Sequence, residues 1–421
     1  MSGAFSPKGG DGAGTCRFCG AALTQTLIDL GHQPLANSFR AMDDTSVERT
    51  YPLHVRVCSA CRLAQVGDVV PAAEIFAADY AYFSSTASSW VEHARRYAAA
   101  MTARFGLSPA SQVIEVASND GYLLQHFAEA GMPVLGIEPA RGVAEAAMAK
   151  GIATEVAFFG RVTAERVASQ HGRADLIAAN NVLAHVPDIN DFVAGFAALL
   201  KPMGVVTVEN PHLLNLLRHC QFDTIYHEHY SYLSLLSVER IFAAHGLAVF
   251  DVEELPTHGG SLRYFAAHAE AGFEPGPGLA KVRADEAAAG LDTDAAYADF
   301  APRVAAIRDG LLAWLDAEKA AGRIVAAYGA AAKGNTLLNF CGITAADGRI
   351  AYVCDKAASK QGKLLPGSAI PVLAPVAIQA LRPDRVLILP WNLKHEIATD
   401  LDFIRTWGGR FAVAVPAMEE F

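Results

Sequence analysis

The sequence predicts a three-part α/β protein, a small cysteine-bound domain followed by two doubly wound parallel sheets. Three observations carry this. Two C-x-x-C pairs lie within the first 61 residues. From Gln112 onward, short apolar runs, Gly-bearing turns and helical stretches alternate, the pattern of a parallel sheet with crossover helices. A second run of that kind starts at Arg323. At 421 residues there is room for two or three domains of roughly 150 residues each. Hydrophobic residues make up 52% and charged residues 19%, which predicts a buried core rather than disorder. A net charge of -10 and a pI of about 5.8 argue against a general nucleic-acid or acidic-membrane binder. They leave room for a local basic pocket that holds a small anion.

Residues 1–14 are Gly-rich without an apolar core, so they read as a flexible tail and not as a signal peptide. Seven cysteines without an export signal predict reduced thiols and a cytoplasmic protein. No apolar run approaches the ~18 residues of a membrane span. In residues 15–75 the pairs Cys16-Arg-Phe-Cys19 and Cys58-Ser-Ala-Cys61 each turn two thiolates onto one ion. Together they give the tetrahedral sulfur set that zinc favours, and four protein ligands leave no open position, so the zinc is structural. Gly31–Asn37 reads as a turn and Tyr51–Val57 as a strand in the gap between the pairs.

Residues 76–275 form the second predicted domain. The stretch 79–90 is rich in aromatic and hydroxyl groups and has two readings. It is either a linker with a helix cap, or a lid whose Tyr80 or Tyr82 faces a ligand. A helix over about 88–105 follows from the spacing of Trp90, Val91, Ala94, Tyr97 and Met101. Val113–Ala117 is a strand, Ser118–Gly121 a turn, 122–130 a helix ended by Gly131, and Val134–Glu138 the next strand. The turn departs from G-x-G-x-x-G, so the pyrophosphate cradle of dinucleotide sites is missing. Glu115 and Asp120 suit a cationic ligand, and Glu138 can accept from ribose hydroxyls. That points to S-adenosylmethionine, with Glu115, Ser118, Asn119, Asp120, Gly121 and Glu138 as its candidate ligands. The strand 174–179 runs into Asn180, Asn181 and His185, and 205–210 is a further strand. Ligands of open α/β sheets bind at such C-terminal strand ends. This gives Asn180 and Asn181 to the cofactor and leaves His185 either structural or binding.

The stretch Asp223–Tyr232 follows on the same edge and holds Tyr226, His227, Glu228, His229, Tyr230 and Tyr232. His beside Glu moves protons near neutral pH, and a tyrosine hydroxyl can hold an oxyanion. A helix at 235–242, a strand at 247–252 and the Gly-rich Thr257–Phe265 complete this part. His258 is a candidate for substrate there. Arg263 either pairs with an acid or holds substrate. Residues 276–320 are Ala-rich and read as a helical bridge. In 321–421, Arg323–Asn335 is a strand, Gly loop and helix that is not a P-loop. Backbone N–H groups with Lys333, and Asn335 beside it, could hold a diphosphate. Strands at 350–355 and 385–390 extend that sheet.

The cysteine pairs, Gly31–Asn37, Glu115–Gly121, Tyr226–Tyr232, Thr257–Arg263 and Tyr328–Gly334 together resemble the sugar C-methyltransferases of deoxysugar biosynthesis, over nearly the whole chain from Cys16. The resemblance implies an N-terminal zinc domain, a central Rossmann-like methyltransferase domain and a C-terminal Rossmann-like domain in a monomer. It implies S-adenosylmethionine as methyl donor and methylation of a carbon beside the ketone of a nucleoside-diphosphate 4-keto-6-deoxysugar, usually C3 of a dTDP-sugar. Carried over, His229 is the base, supported by Glu228, with Tyr226, His185 and Tyr80 or Tyr82 around the sugar. Ala117, often Gly in that family, is expected to be harmless. An O- or N-methyltransferase on a nucleotide sugar is the alternative enzyme, and a zinc-ribbon regulatory protein the alternative of another class.

Overall fold

The computed structural model describes residues 14–67, 70, 83–86 and 88–421. The predicted tail up to residue 13, and Tyr80 and Tyr82, lie outside the described residues. The chain divides into two compact units. One is built from Met1–Thr24, Cys58–Leu213 and Tyr230–Thr293, the other from Gln25–Val57, Leu214–His229 and Asp294–Phe421.

The first unit holds a seven-stranded sheet. Helix α1 (Ser88–Phe105) precedes it, burying Ala94, Tyr97, Ala98 and Met101 along one stripe. The strands are β1 (Val113–Val116), β2 (Val134–Ile137), β3 (Thr154–Glu155), β4 (Ala174–Asn180), β5 (Leu200–Pro211), β6 (Leu247–Leu255) and β7 (Ser261–His268). Their spatial order is β6-β7-β5-β4-β1-β2-β3. The pairs from β3 through β5 are parallel, and β7 is antiparallel to both β5 and β6. All four residues of β1 are buried, as expected for a strand with both faces covered. Alternate residues feed two cores. Ile114, Val116, Ile177 and Val206 join the helices at 161–171 and 189–199, while Val113, Leu176 and Val205 pack with Tyr97 and Met101 of α1. The helix Ile189–Leu199 starts where Asp188 accepts the Asp191 N–H at 3.0 Å. The helix Leu235–Ala244 starts on a Ser234/Ser237 capping box.

In the second unit Gln25–Gln33 pairs antiparallel with Tyr51–Val57. The strand therefore continues through Gly31–Gln33, which the sequence reading placed in a turn. It does so over a register irregularity between Asp29 and His32, with Gly31 at φ 72. The main sheet has β8 (Val325–Tyr328), β9 (Val353–Cys354), β10 (Val372–Leu373), β11 (Arg385–Ile388), β12 (Arg410–Val413) and β13 (Glu419–Glu420) in the order β10-β9-β8-β11-β12-β13. All neighbours are parallel except β12 and β13. The order reverses at β8, so the crevice between the ends of β8 and β11 is where a ligand of such a sheet binds. Helix α2 (Ala332–Phe340) leaves the Gly loop after β8.

Candidate active site

In the first unit the turn after β1 is built on backbone that side chains disfavour. Ala117, Asn119 and Gly121 have φ of 57, 50 and 76, three left-handed residues at a spacing of two. Gly121 is required there, since a Cβ would sit 3.0 Å from Ile152 Cγ1. Ala117 carries the left-handed penalty of a non-Gly residue, so the expectation that it is harmless does not hold. Glu138, at the end of β2, accepts the Asn119 N–H at 3.0 Å and the Ala140 N–H at 2.8 Å, which holds the turn in place. Asp120 accepts from Ser85 Oγ and from Lys150 Nζ at 3.0 Å, so part of its charge is already matched.

Glu115 is buried, and burial pushes its carboxyl well above the usual range, reinforced by the charges of Glu138 and Asp120. One Glu115 oxygen, the Ser118 hydroxyl and the Asn180 amide oxygen are buried without a hydrogen-bond partner. A cluster of acids with unfilled acceptors at the C-terminal ends of β1 and β4 fits a ligand that brings positive charge and N–H donors. Asn181 follows at φ 55, and His185 ends a short 3₁₀ turn at Leu183–His185, half-buried, beside this edge.

The metal residues come together. Cys16, Cys19, Cys58 and Cys61 place their sulfurs within 4.8 Å of one another, with 3.5 Å between Cys16 and Cys61 and between Cys19 and Cys58. A tetrahedral zinc with bonds of about 2.3 Å needs sulfur separations of about 3.8 Å, so the set fits the ion. Gln65 Nε2 donates to Cys16 Sγ at 3.2 Å. The knuckle is bonded to the sheet domain: Asn190 donates to Phe18 O at 2.9 Å and Arg17 to Pro187 O at 2.9 Å.

In the second unit, Phe222–Thr224 forms a 3₁₀ turn and the chain continues through Ile225 to the His229 region. His229 Nδ1 lies 2.9 Å from Thr224 O and Nε2 lies 2.9 Å from Tyr226 Oη. A carbonyl only accepts, so Nδ1 carries the hydrogen and Nε2 presents a lone pair to the tyrosine hydroxyl. Glu228 is bonded instead to Asn37 Nδ2, at 2.6 Å, and burial raises its carboxyl against that bond. The hydrogen bond that orients His229 Nδ1 is thus to the Thr224 carbonyl, and the one to the Glu228 carboxylate comes from Asn37. His227 packs edge-on to Tyr51, and burial lowers its imidazole to about 4, which keeps it neutral.

Models of three families match the chain: a zinc binding domain over residues 16–76, a methyltransferase domain over 90–252 and a C-methyltransferase C-terminal domain over 256–416. The C-methyltransferase NovU of Streptomyces niveus is 38% identical over 403 residues, 95% of each chain. This chain belongs to the C-methyltransferase family. It is an S-adenosylmethionine-dependent enzyme with an N-terminal zinc site. A ubiquinone biosynthesis O-methyltransferase of Rhodopseudomonas palustris is 25% identical over 159 residues, 33% of this chain and 63% of that protein. The magnesium protoporphyrin IX methyltransferase of Synechocystis PCC 6803 covers 43% of this chain and 85% of its own at 16% identity, with a TM-score of 0.35.

The remaining candidates of this C-methyltransferase fall in three places. His258 (φ 55) packs 5.4 Å from Trp90, whose ring also stacks on His93 at 4.8 Å. Arg263 is tied to Glu209 and Glu253, both at 2.6 Å. Burial pushes the Glu209 carboxyl up, but His93 and Arg263 outweigh it and hold Glu209 below the usual range. Lys333 bonds Asn392 at 3.1 Å and lies over the Trp391 ring, in the crevice after β8. Burial lowers its ammonium, with Asp223 opposing. Asn335 is buried and donates to Ala36 O, while its Oδ1 is buried without a hydrogen-bond partner. Thr224 lay inside the stretch Asp223–Tyr232 but was given no role of its own there, and Trp391, whose indole N–H donates to Asp223, was not singled out. Asn37 was inside a quoted motif, and its place at the end of Gly31-His-Gln-Pro-Leu-Ala-Asn37 was the available signal.

Proposed function

We propose that this C-methyltransferase acts on a nucleoside-diphosphate 4-keto-6-deoxysugar, dTDP-linked, and methylates C3, the carbon beside the ketone. The observation that carries the reading is the chain Thr224 O, His229 and Tyr226, which leaves one basic imidazole nitrogen beside one hydroxyl donor. S-adenosylmethionine, when bound, supplies the electrophilic methyl group. Glu115, Ser118, Asn180 and Glu138 would hold it. His229 Nε2 takes the proton from the carbon, and the Tyr226 hydroxyl turns its hydrogen to the enolate oxygen. Base catalysis of this kind contributes roughly 10²–10⁴-fold. Loss of one oxyanion donor costs roughly 3–4 kcal/mol. Lys333 and the N–H groups at the start of α2 take the diphosphate. The reading gives residues 15–75 to zinc, 76–275 to the cofactor, 276–320 to a bridge and 321–421 to the nucleotide, in a cytoplasmic monomer. No helix among the described residues is long and apolar enough to cross a membrane.

The test is methyl transfer from labelled S-adenosylmethionine to a panel of nucleoside-diphosphate keto sugars, with the product carbon assigned by NMR. Label on C3 of a dTDP-4-keto-6-deoxysugar is expected. Label on oxygen or nitrogen, or none with any keto sugar, overturns the reading.

A further inference from the structure

We infer that helix α2 sets the geometry of the proton-transfer loop, and that Thr336 is the positioning residue through which it does so. The inference rests on the reading of His229 as the base. Three side chains within one turn of α2 reach the segments that carry the acid–base groups. Thr336 Oγ1 donates to Ile225 O at 2.8 Å. Asn335 Nδ2 donates to Ala36 O, next to the Asn37 whose amide bonds Glu228. Lys333 lies near Asp223, whose carboxylate takes the Trp391 indole N–H at 2.7 Å. Burial pushes the Asp223 carboxyl to about 6, against the opposing Lys333 charge and Trp391 bond.

Thr336 is the decisive one of the three. A threonine inside a helix ordinarily returns its hydroxyl to the carbonyl one turn back. Here the hydroxyl is 1% exposed with its residue and is directed to another segment instead. The carbonyl it holds belongs to the peptide after Ile225, the next one along from the peptide that carries the Thr224 carbonyl, and Ile225 between them is extended at φ -88 and ψ 115. Anchoring the Ile225 carbonyl therefore limits how far the adjoining peptide, which presents the Thr224 carbonyl to His229 Nδ1–H, can turn, leaving only the two dihedrals of Ile225 between them. The helix itself cannot shift freely, since a Cβ at Gly334 would meet Leu389 Cδ1 at 2.6 Å. That close approach ties α2 to the end of β11. A catalytic group moved by about an ångström loses roughly 10²-fold in rate, so a single hydrogen bond at this place reaches the chemistry.

The experiment compares Thr336→Val, which keeps the shape and removes the donor, with Thr336→Ser, which keeps the donor. Two readouts are taken: the ¹⁵N shifts of selectively labelled His229, and the kcat and KM of proton exchange at the substrate carbon in D₂O. For Thr336→Val the expected results are a mixed tautomer at His229, a kcat lower by roughly 10- to 100-fold and an unchanged KM. Thr336→Ser is expected to restore both. A Thr336→Val enzyme with the parent tautomer and rate overturns the inference. So does one in which Thr336→Ser fails equally and both variants melt early, which is a structural role only. If the parent enzyme exchanges no keto sugar, the substrate reading fails, while the tautomer of His229 still decides the role of Thr336.

Discussion

Replacing Ala117 by glycine is predicted to stabilise the protein. Ala117 sits at φ 57 in the turn after β1. An L-residue in the left-handed region costs about 1–2 kcal/mol. Glycine removes that strain but adds about 0.5–1 kcal/mol of unfolded-state entropy. The net gain is about 0–1.5 kcal/mol, a rise in melting temperature of roughly 2–4 °C per kcal/mol for a unit of this size. Asn119 is the internal control. It is left-handed too, but asparagine tolerates that backbone, and its Oδ1 accepts the Ser84 N–H at 2.8 Å. Asn119→Gly should therefore lower stability. Gly121→Ala should lower it most, because φ 76 and the Ile152 contact oppose any Cβ. Differential scanning calorimetry of the three variants, with and without S-adenosylmethionine, makes the comparison. An Ala117→Gly protein that melts below its parent would refute the reasoning.

Four further outcomes are expected. Glu115→Gln should melt higher than the parent without ligand, since a buried carboxyl is removed, and bind S-adenosylmethionine roughly 10- to 100-fold more weakly by calorimetry; unchanged affinity contradicts it. His227 is held neutral, so the unfolded chain binds more protons between pH 6.5 and about 4. Stability from this group is full above pH 6.5 and falls by about 2 kcal/mol on reaching pH 5, and urea titrations of His227→Gln should lack that component of the slope. Zinc removal, or Cys61→Ser, should free Arg17 and Asn190 and loosen the Pro187–Asn190 segment next to His185; hydrogen exchange confined to the knuckle would contradict this. Tyr226→Phe should cut kcat by roughly 10²-fold with little change in KM, read from initial rates.

The sheets were legible because apolar runs alternate with turns at a regular spacing. Val113–Val116, Val134–Ile137 and Val325–Tyr328 fall within two residues of where that pattern puts them. The cysteine spacing carried the metal cluster in the same way. The Gly31–Gln33 stretch misled, because a strand that bulges at a left-handed glycine carries the same letters as a turn. The turn after β1 was legible as a turn but not in its conformation, since alanine and asparagine hide two of its three left-handed positions. The roles of Thr224, Thr336 and Trp391 depend on which backbone carbonyl or carboxylate lies opposite, and that is fixed by tertiary packing rather than by local letters.

The central claim, a carbon proton taken by His229, is tested most directly by deuterium exchange. The parent enzyme and His229→Ala are incubated with the keto sugar in D₂O without methyl donor, and exchange at the carbon beside the ketone is followed by NMR. The account predicts exchange in the parent and its loss in His229→Ala, with S-adenosylmethionine binding retained. Undiminished exchange in His229→Ala would contradict it.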